Sequence, residues 1–127
     1  MLLVVDTSVL IDHLRGDERA VRRLRAAVES RDELWSATVV RTEILAGARP
    51  KEEAAIIELL DGLRWMEITV EVADSAGRLA ARYLRSHPGV DTVDYLIAAC
   101  AQKLDATLLT LNVRHFPMFP YLEPAYR

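Results

Sequence analysis

A single cysteine, Cys100, stands in the 127 residues, so no disulfide forms within the chain and no multi-cysteine zinc site can be built. Its neighbours Ala98, Ala99 and Ala101 suit a packed helix face, where a thiol serves as a small apolar side chain. The three histidines, His13, His87 and His115, share no ligand spacing, which leaves zinc chemistry without support and reads all three as surface or loop residues. No apolar run approaches the roughly 18 residues of a membrane span. No basic leader precedes Leu2-Leu3-Val4-Val5, and the expectation is a cytoplasmic protein with no membrane partner. Excess basic charge is missing too. Lys and Arg number 16 against 19 Asp and Glu, so the formal charge of -3 gives no global attraction to nucleic acid and only local patches could supply one. Repeats and low-complexity linkers are absent.

What is present is enough apolar material for one core. At 51% hydrophobic and 28% charged residues, the composition is far from that of disordered chains, and the length predicts a single domain over 1–127. Residues 2–5 are wholly apolar and partly β-branched, which suits a strand covered on both faces. Thr7 or Ser8 can cap a helix to about Leu14, broken at Gly16. Asp17 can cap the next, with Val21, Leu24 and Val28 at helical spacing. Leu34 to Ala37 reads as a second strand, and Thr38 as the cap of a helix that carries Glu43 and ends at Gly47 or Pro50. Lys51 to Leu63 is amphipathic, with Ile56, Ile57, Leu60 and Leu63 on one side. Trp65 to Ile68 is a third strand, Thr69 to about Ser86 a long helix with Val72, Ala76, Ala80 and Leu84 inward, and His87-Pro88-Gly89 a stop. Asp91 to Asp94 then opens another helix, Thr107 to Leu111 forms a fourth strand, and Phe116 to Arg127 makes a final edge strand and tail. Trp35 and Trp65, at strand starts, read as core rather than base-stacking platforms. Alternating strand and helix predict an α/β fold: a three-layer α/β/α sandwich around a central, mainly parallel sheet of 4–5 strands.

Ligands of such sheets sit beyond the carboxyl ends of the strands, which makes Asp6 and Asn112 candidates for chemistry. Three acids interrupt apolar contexts: Asp6 after four apolar residues, Glu43 before Ile44-Leu45, and Asp94 before Leu96-Ile97-Ala98-Ala99. A carboxylate beside a core is costly unless cations or donors compensate it. Several carboxylates gathered together suit a hard Mg²⁺ or Mn²⁺ ion, which keeps waters and shares phosphate oxygens, and that chemistry is phosphodiester cleavage. Taken singly each acid has a plainer role: Asp6 as a cap, Glu43 as a solvated helix residue, Asp94 as a complement to the helix dipole.

Four blocks, Val5-Asp6-Thr7-Ser8-Val9-Leu10-Ile11, Thr42-Glu43-Ile44-Leu45-Ala46-Gly47, Asp94-Tyr95-Leu96-Ile97-Ala98-Ala99 and Thr110-Leu111-Asn112 with Phe116, resemble those of PIN-domain nucleases, in the same order and across nearly the whole chain. The free-standing length is similar to that of the VapC toxins of toxin–antitoxin pairs. The resemblance implies a PIN-like fold and Mg²⁺- or Mn²⁺-dependent cleavage of single-stranded RNA. It also implies a homodimer and a cognate VapB-type antitoxin as partner. On it, Asp6, Glu43, Asp94 and Asn112 are catalytic, and Asp6, Glu43 and Asp94 are metal ligands. Asp91 is either a further ligand or the cap of its helix. Asn112 departs from a fourth acid and adds no charge. Thr7 and Thr110 would orient carboxylates or waters. Helices around Leu10 to Leu14 and Ile44-Leu45, with the 51–63 helix, would offer the partner an apolar groove.

Arg15, Arg19 and Arg22, and again Arg78, Arg82 and Arg85, form stripes that read either as solvated faces or as phosphate contacts. Arg15 and Arg114 are the RNA-phosphate candidates. Two alternatives lie near the main reading: a PIN nuclease of RNA processing or decay with no antitoxin, and a non-enzymatic PIN-like RNA-binding module, against which the retained acids count. A receiver-type signalling domain needs an acidic pair after strand one and an Asp after strand three, where Thr7-Ser8 and Ile68-Thr69 stand. A haloacid-dehalogenase-type phosphatase needs Asp where Ser8 stands.

Overall fold

The computed structural model describes residues 1–127. Four strands, β1 (Leu2–Val5), β2 (Glu33–Ala37), β3 (Arg64–Met66) and β4 (Thr107–Leu109), form one parallel sheet in the order β3-β2-β1-β4. The helices are α1 (Thr7–Leu14), α2 (Glu18–Glu29), α3 (Thr38–Ala46), α4 (Glu53–Asp61), α5 (Val70–Tyr83) and α6 (Thr92–Lys103). From β1 the chain steps to β2 and β3 on one side, then returns to β4 on the other. Right-handed crossovers therefore put α1–α2 and α5–α6 on opposite faces. Accordingly α2 packs on β2, while α6 packs on β1, β2 and β4. The strand order reverses at β1, so the crevice at the carboxyl ends of β1 and β4 is the place where such a sheet takes a ligand.

Packing explains why β1 reads as it does. Leu3, Val4 and Val5 have no exposed surface, being covered from both faces, and Ile97, Ala98, Cys100 and Ala101 of α6 are buried against them. Burial pushes the Cys100 thiol up to about 11, so it is neutral and serves as packing. The link between α1 and α2 turns at Gly16, whose φ of +79° suits the residue without a Cβ. No helix is long and apolar enough to cross a membrane.

Several expectations need correction. Residues 116–127 are turns and bends, not a strand: Pro117, Pro120 and Pro124 remove donors that a strand would need. Asp6, not Thr7 or Ser8, caps α1. Thr38 does not cap α3, because its hydroxyl accepts the Ile68 N–H instead. The 51–63 segment divides into a 3-10 turn at Pro50–Glu52 and the shorter α4. Val28, Ile57 and Leu84 are exposed, while the small Ala20, Ala27 and Ala76 occupy the buried positions and let their helices lie close to the layer beneath. Both tryptophans are half-buried, and Arg41 lies 4.7 Å from the Trp65 ring centre.

Candidate active site

Asp6 is fixed by where β1 ends. Its N–H donates to Leu109 O at 2.9 Å, continuing the β1–β4 pairing, and its backbone stays extended as the N-cap of α1. The side chain is almost wholly buried yet well supplied with donors. Oδ1 accepts the Thr7 N–H at 2.8 Å, and Oδ2 accepts the hydroxyls of Thr110 at 2.7 Å and Ser8 at 3.0 Å. Those three donors compensate the removal of the carboxylate from water. Ser8 Oγ in turn accepts the Leu111 N–H, and Thr110 Oγ1 accepts the Asn112 N–H, so one hydrogen-bonded lattice ties the start of α1 to the segment after β4.

Glu43 reaches the same place from α3. Its side chain is exposed, and Oε1 accepts the Thr7 hydroxyl at 2.7 Å. Thr7 thus holds Asp6 by its backbone and Glu43 by its side chain.

Asp94 sits in the first turn of α6, where a capping box binds it. Asp91 Oδ1 accepts the Asp94 N–H at 3.0 Å, and Asp94 Oδ2 accepts the Asp91 N–H at 3.1 Å. His115 Nδ1 lies 3.2 Å from the same Oδ2. Burial pushes the Asp94 carboxyl up to about 6. The Asp91 N–H and His115 pull it down, while the negative charges of Asp91 and Asp6 push it the same way as burial. Asp94 therefore feels the charge of Asp6 across the crevice.

Of the sequence candidates, Asp6 and Glu43 are bridged, Asp6 and Asp94 repel, and Asp91 is the cap of α6. Asn112 joins only through its backbone; its side chain is exposed without a hydrogen bond. Arg15, after α1, and Arg114, in the 3-10 turn Val113–His115, are exposed and unpaired. No three His, Cys, Asp or Glu side chains converge into a direct ligand set. Ser8, read as a possible helix cap, and His115, read as a surface or loop residue, were not among the site residues expected from the sequence. Ser8 follows Asp6 by two residues in a first helical turn, a spacing that could have shown it. His115 reaches Asp94 only because of the 3-10 turn, which leaves no periodic signal.

The donor set fits a hard divalent ion. Every candidate atom is an oxygen, and no Lys or Arg pairs with Asp6, Glu43, Asp91 or Asp94. Their mutual repulsion is what a cation would relieve, and an ion that retains waters does not require three carboxylates in direct contact.

A family model described as PIN domain matches residues 3–117. Ribonuclease VapC19 of Mycobacterium tuberculosis is 47% identical over 123 residues, spanning 97% of this chain and 98% of that protein. Ribonuclease VapC10 of the same organism is 41% identical over 126 residues, 98% and 93% of the two lengths. In fold, the chain is similar to VapBC2 from Rickettsia felis, solved bound to a DNA fragment from their promoter, with a TM-score of 0.81 over 96% of both chains at 18% identity.

Proposed function

The chain belongs to the PIN domain family, and from that premise we propose that it is an endoribonuclease using Mg²⁺ or Mn²⁺ and acting as the toxin of a VapBC-type pair. The observation that carries the reading is the bridge Asp6–Thr7–Glu43 facing Asp94, a group of carboxylates with no Lys or Arg partner. Asp6, Glu43 and Asp94 would hold the ion, with Asp91 at the rim. A bound divalent ion lowers the pKa of a water and offsets charge on the phosphorane and the leaving oxygen. The chain's own residues supply position. Ser8 and Thr110 fix the Asp6 rotamer, Thr7 fixes Glu43 relative to it, and the Asp91 N–H with His115 fixes Asp94. Asn112 and Arg114 stand at the edge where an RNA backbone would pass.

A polypeptide partner, the antitoxin, would lie in a groove of about 430 Å³ between α1, α2 and α4, lined by Leu14, Val21, Leu24, Leu59 and Leu63 with Arg25 and Glu58 among them. An amphipathic helix matches such a surface. We take residues 1–127 as one nuclease domain that works on RNA in the cytoplasm, paired as a homodimer in its complex.

The test is cleavage of single-stranded RNA by the purified chain. Activity should require Mg²⁺ or Mn²⁺, disappear in EDTA, and fall by about 10² or more in Asp6→Ala and Asp94→Ala, as expected when a metal clamp is removed. Full activity in chelator would overturn the metal assignment. Inert protein under all metal conditions would overturn the enzyme.

A further inference from the structure

The segment after β4 forms a closed loop beside the carboxylates. Residues 111–124 leave Thr110 and return to Ala125, whose N–H donates to Thr110 O at 2.9 Å, so one hydrogen bond fastens the neck of the loop. The loop carries Asn112, Arg114 and His115, and its buried Phe116 anchors it to the core. β4 lies at the edge of the sheet and pairs with β1 on one side only. Just past its end, Ala125 holds Thr110 from the other side, and Thr110 is the residue whose hydroxyl donates to Asp6 Oδ2.

What secures the neck is the next residue, Tyr126. Its hydroxyl donates to Asp12 Oδ2 on α1 at 2.7 Å. Burial, and after it the hydrogen bond to Asp12, pushes the phenol well above the ordinary tyrosine range, so it keeps its proton and remains a donor. The Arg19 guanidinium lies 5.4 Å from the ring centre, and Asp17, the cap of α2, holds that guanidinium by two hydrogen bonds at 2.7 and 3.1 Å. A circuit therefore closes through the site. Asp6 caps α1, and Asp12 lies about 9 Å further along the same helix. Asp12 holds Tyr126, Ala125 holds Thr110, and Thr110 returns to Asp6. We propose that Tyr126 is a positioning residue of the nuclease site: as a latch between α1 and the neck of the 111–124 loop, it keeps the Thr110 hydroxyl on Asp6 and His115 beside Asp94. The proposal rests on the ribonuclease reading above and extends it to a residue that touches none of the site's acids. A loop free to shift at its neck would carry two partners of those acids with it, and small displacements of a reacting constellation are costly.

The test breaks the latch and reads the site. Tyr126→Phe keeps the ring beside Arg19 and removes only the hydroxyl. Asp12→Ala removes the acceptor, whereas Asp12→Asn keeps an amide oxygen that accepts the same hydrogen bond. Tyr126→Phe and Asp12→Ala should each lower kcat on single-stranded RNA by about 3- to 10-fold with KM unchanged, a smaller loss than that of a direct partner of a metal ligand. Mn²⁺ affinity in calorimetric titration should fall by a similar factor. The two substitutions combined should do no more than either alone, because they break one contact, and Asp12→Asn should restore most of both quantities. Amide hydrogen exchange should quicken at Ala125, Leu111 and Asn112, the last two being bonded to the Ser8 and Thr110 hydroxyls, while Leu3 to Val5 in the middle of the sheet keep their protection. Equal losses in Asp12→Asn and Asp12→Ala, or exchange that quickens evenly through β1, would assign Tyr126 to the stability of the fold alone and overturn the latch. Unchanged kcat with unchanged Mn²⁺ affinity would overturn it too. An unsubstituted chain that cuts no RNA would overturn the ribonuclease reading instead, and Mn²⁺ affinity together with exchange at Leu111 and Asn112 would then decide the latch by itself.

Discussion

His115 Nδ1 stands 3.2 Å from Asp94 Oδ2 and is the one potentially cationic side chain in contact with the acids of the site. The contact runs from the segment after β4 to the first turn of α6 and meets the same Asp94 oxygen that accepts the Asp91 N–H. Removing an outer partner of this kind typically weakens a metal site about 10- to 100-fold. His115→Ala should therefore lower Mn²⁺ affinity by that order in calorimetric titration. It should also shift the Asp94 carboxyl further up, because of the two groups that hold it down only the Asp91 N–H remains, and carboxyl-carbon NMR would read the shift. Since the His115 side chain is 43% exposed, the fold should persist. Unchanged affinity with an unchanged Asp94 titration would show that the contact positions nothing.

The raised Asp94 titration has a consequence for stability. The carboxyl holds its proton to about pH 6 in the folded chain, against an ordinary value of 3.8. Between those pH values the native state binds more protons than the unfolded state, so this group's contribution falls as pH rises through the window and is flat above it. Asp94→Asn stays neutral across this window. Its melting temperature should exceed that of the unsubstituted chain above about pH 6 and converge with it below about pH 4. A divalent ion reverses the balance because it favours the ionised carboxylate. Melting-temperature gains from Mg²⁺ should therefore grow from acid to neutral pH in the unsubstituted chain. Parallel melting curves at all pH values would refute the assignment.

Much of this arrangement can be read along the chain before folding. The apolar run of β1 with Asp6 at its end, the acids of α3 and α6, and the Asp91–Asp94 spacing are local patterns, and local geometry carries them into the structure. Other features are tertiary. Thr110 meets Asp6 across 104 residues because β4 returns beside β1, and nothing periodic in Thr110 announces it. His115 depends on a 3-10 turn, and the absence of the last strand depends on three prolines outweighing apolar content. The buried Ala20 and Ala27 of α2 mislead a reading based on large apolar residues, because a helix packed close to its neighbours selects for small ones.

Thr110→Val keeps the side-chain volume and deletes the 2.7 Å hydroxyl contact to Asp6 Oδ2, at a position with no solvent access. The same hydroxyl accepts the Asn112 N–H, so that N–H is left without its partner and Asp6 Oδ2 keeps only the Ser8 hydroxyl. Leaving a buried polar group unsatisfied costs about 1–3 kcal/mol, and denaturant unfolding should show a decrease in that range. RNA cleavage should fall as well, because Asp6 is left with only the donors on its own side, Thr7 and Ser8. Ser should restore part of both, whereas Ala should resemble Val. Stability and cleavage both equal to those of the unsubstituted chain would mean that Asp6 needs no donor from β4.

The partner groove can be separated from the carboxylates by substitution at its rim. Val28 is 63% exposed at the end of α2 and Leu59 is half-buried on α4, yet both line the 430 Å³ groove. An apolar surface that a helix must cover tolerates a charge poorly once covered and well while it is open. Val28→Asp should therefore leave the melting temperature of the isolated chain within about 1–2 °C, since surface changes of this kind stay within about 0.5 kcal/mol. Leu59→Arg places a bulkier charged side chain at a less exposed position of the groove lining and should act more strongly. Both variants should cleave RNA like the unsubstituted chain, and cleavage should persist when the cognate antitoxin protein is added, because that protein can no longer be held. Full inhibition of Leu59→Arg by that protein, at the concentration that inhibits the unsubstituted chain, would place the partner elsewhere on the surface.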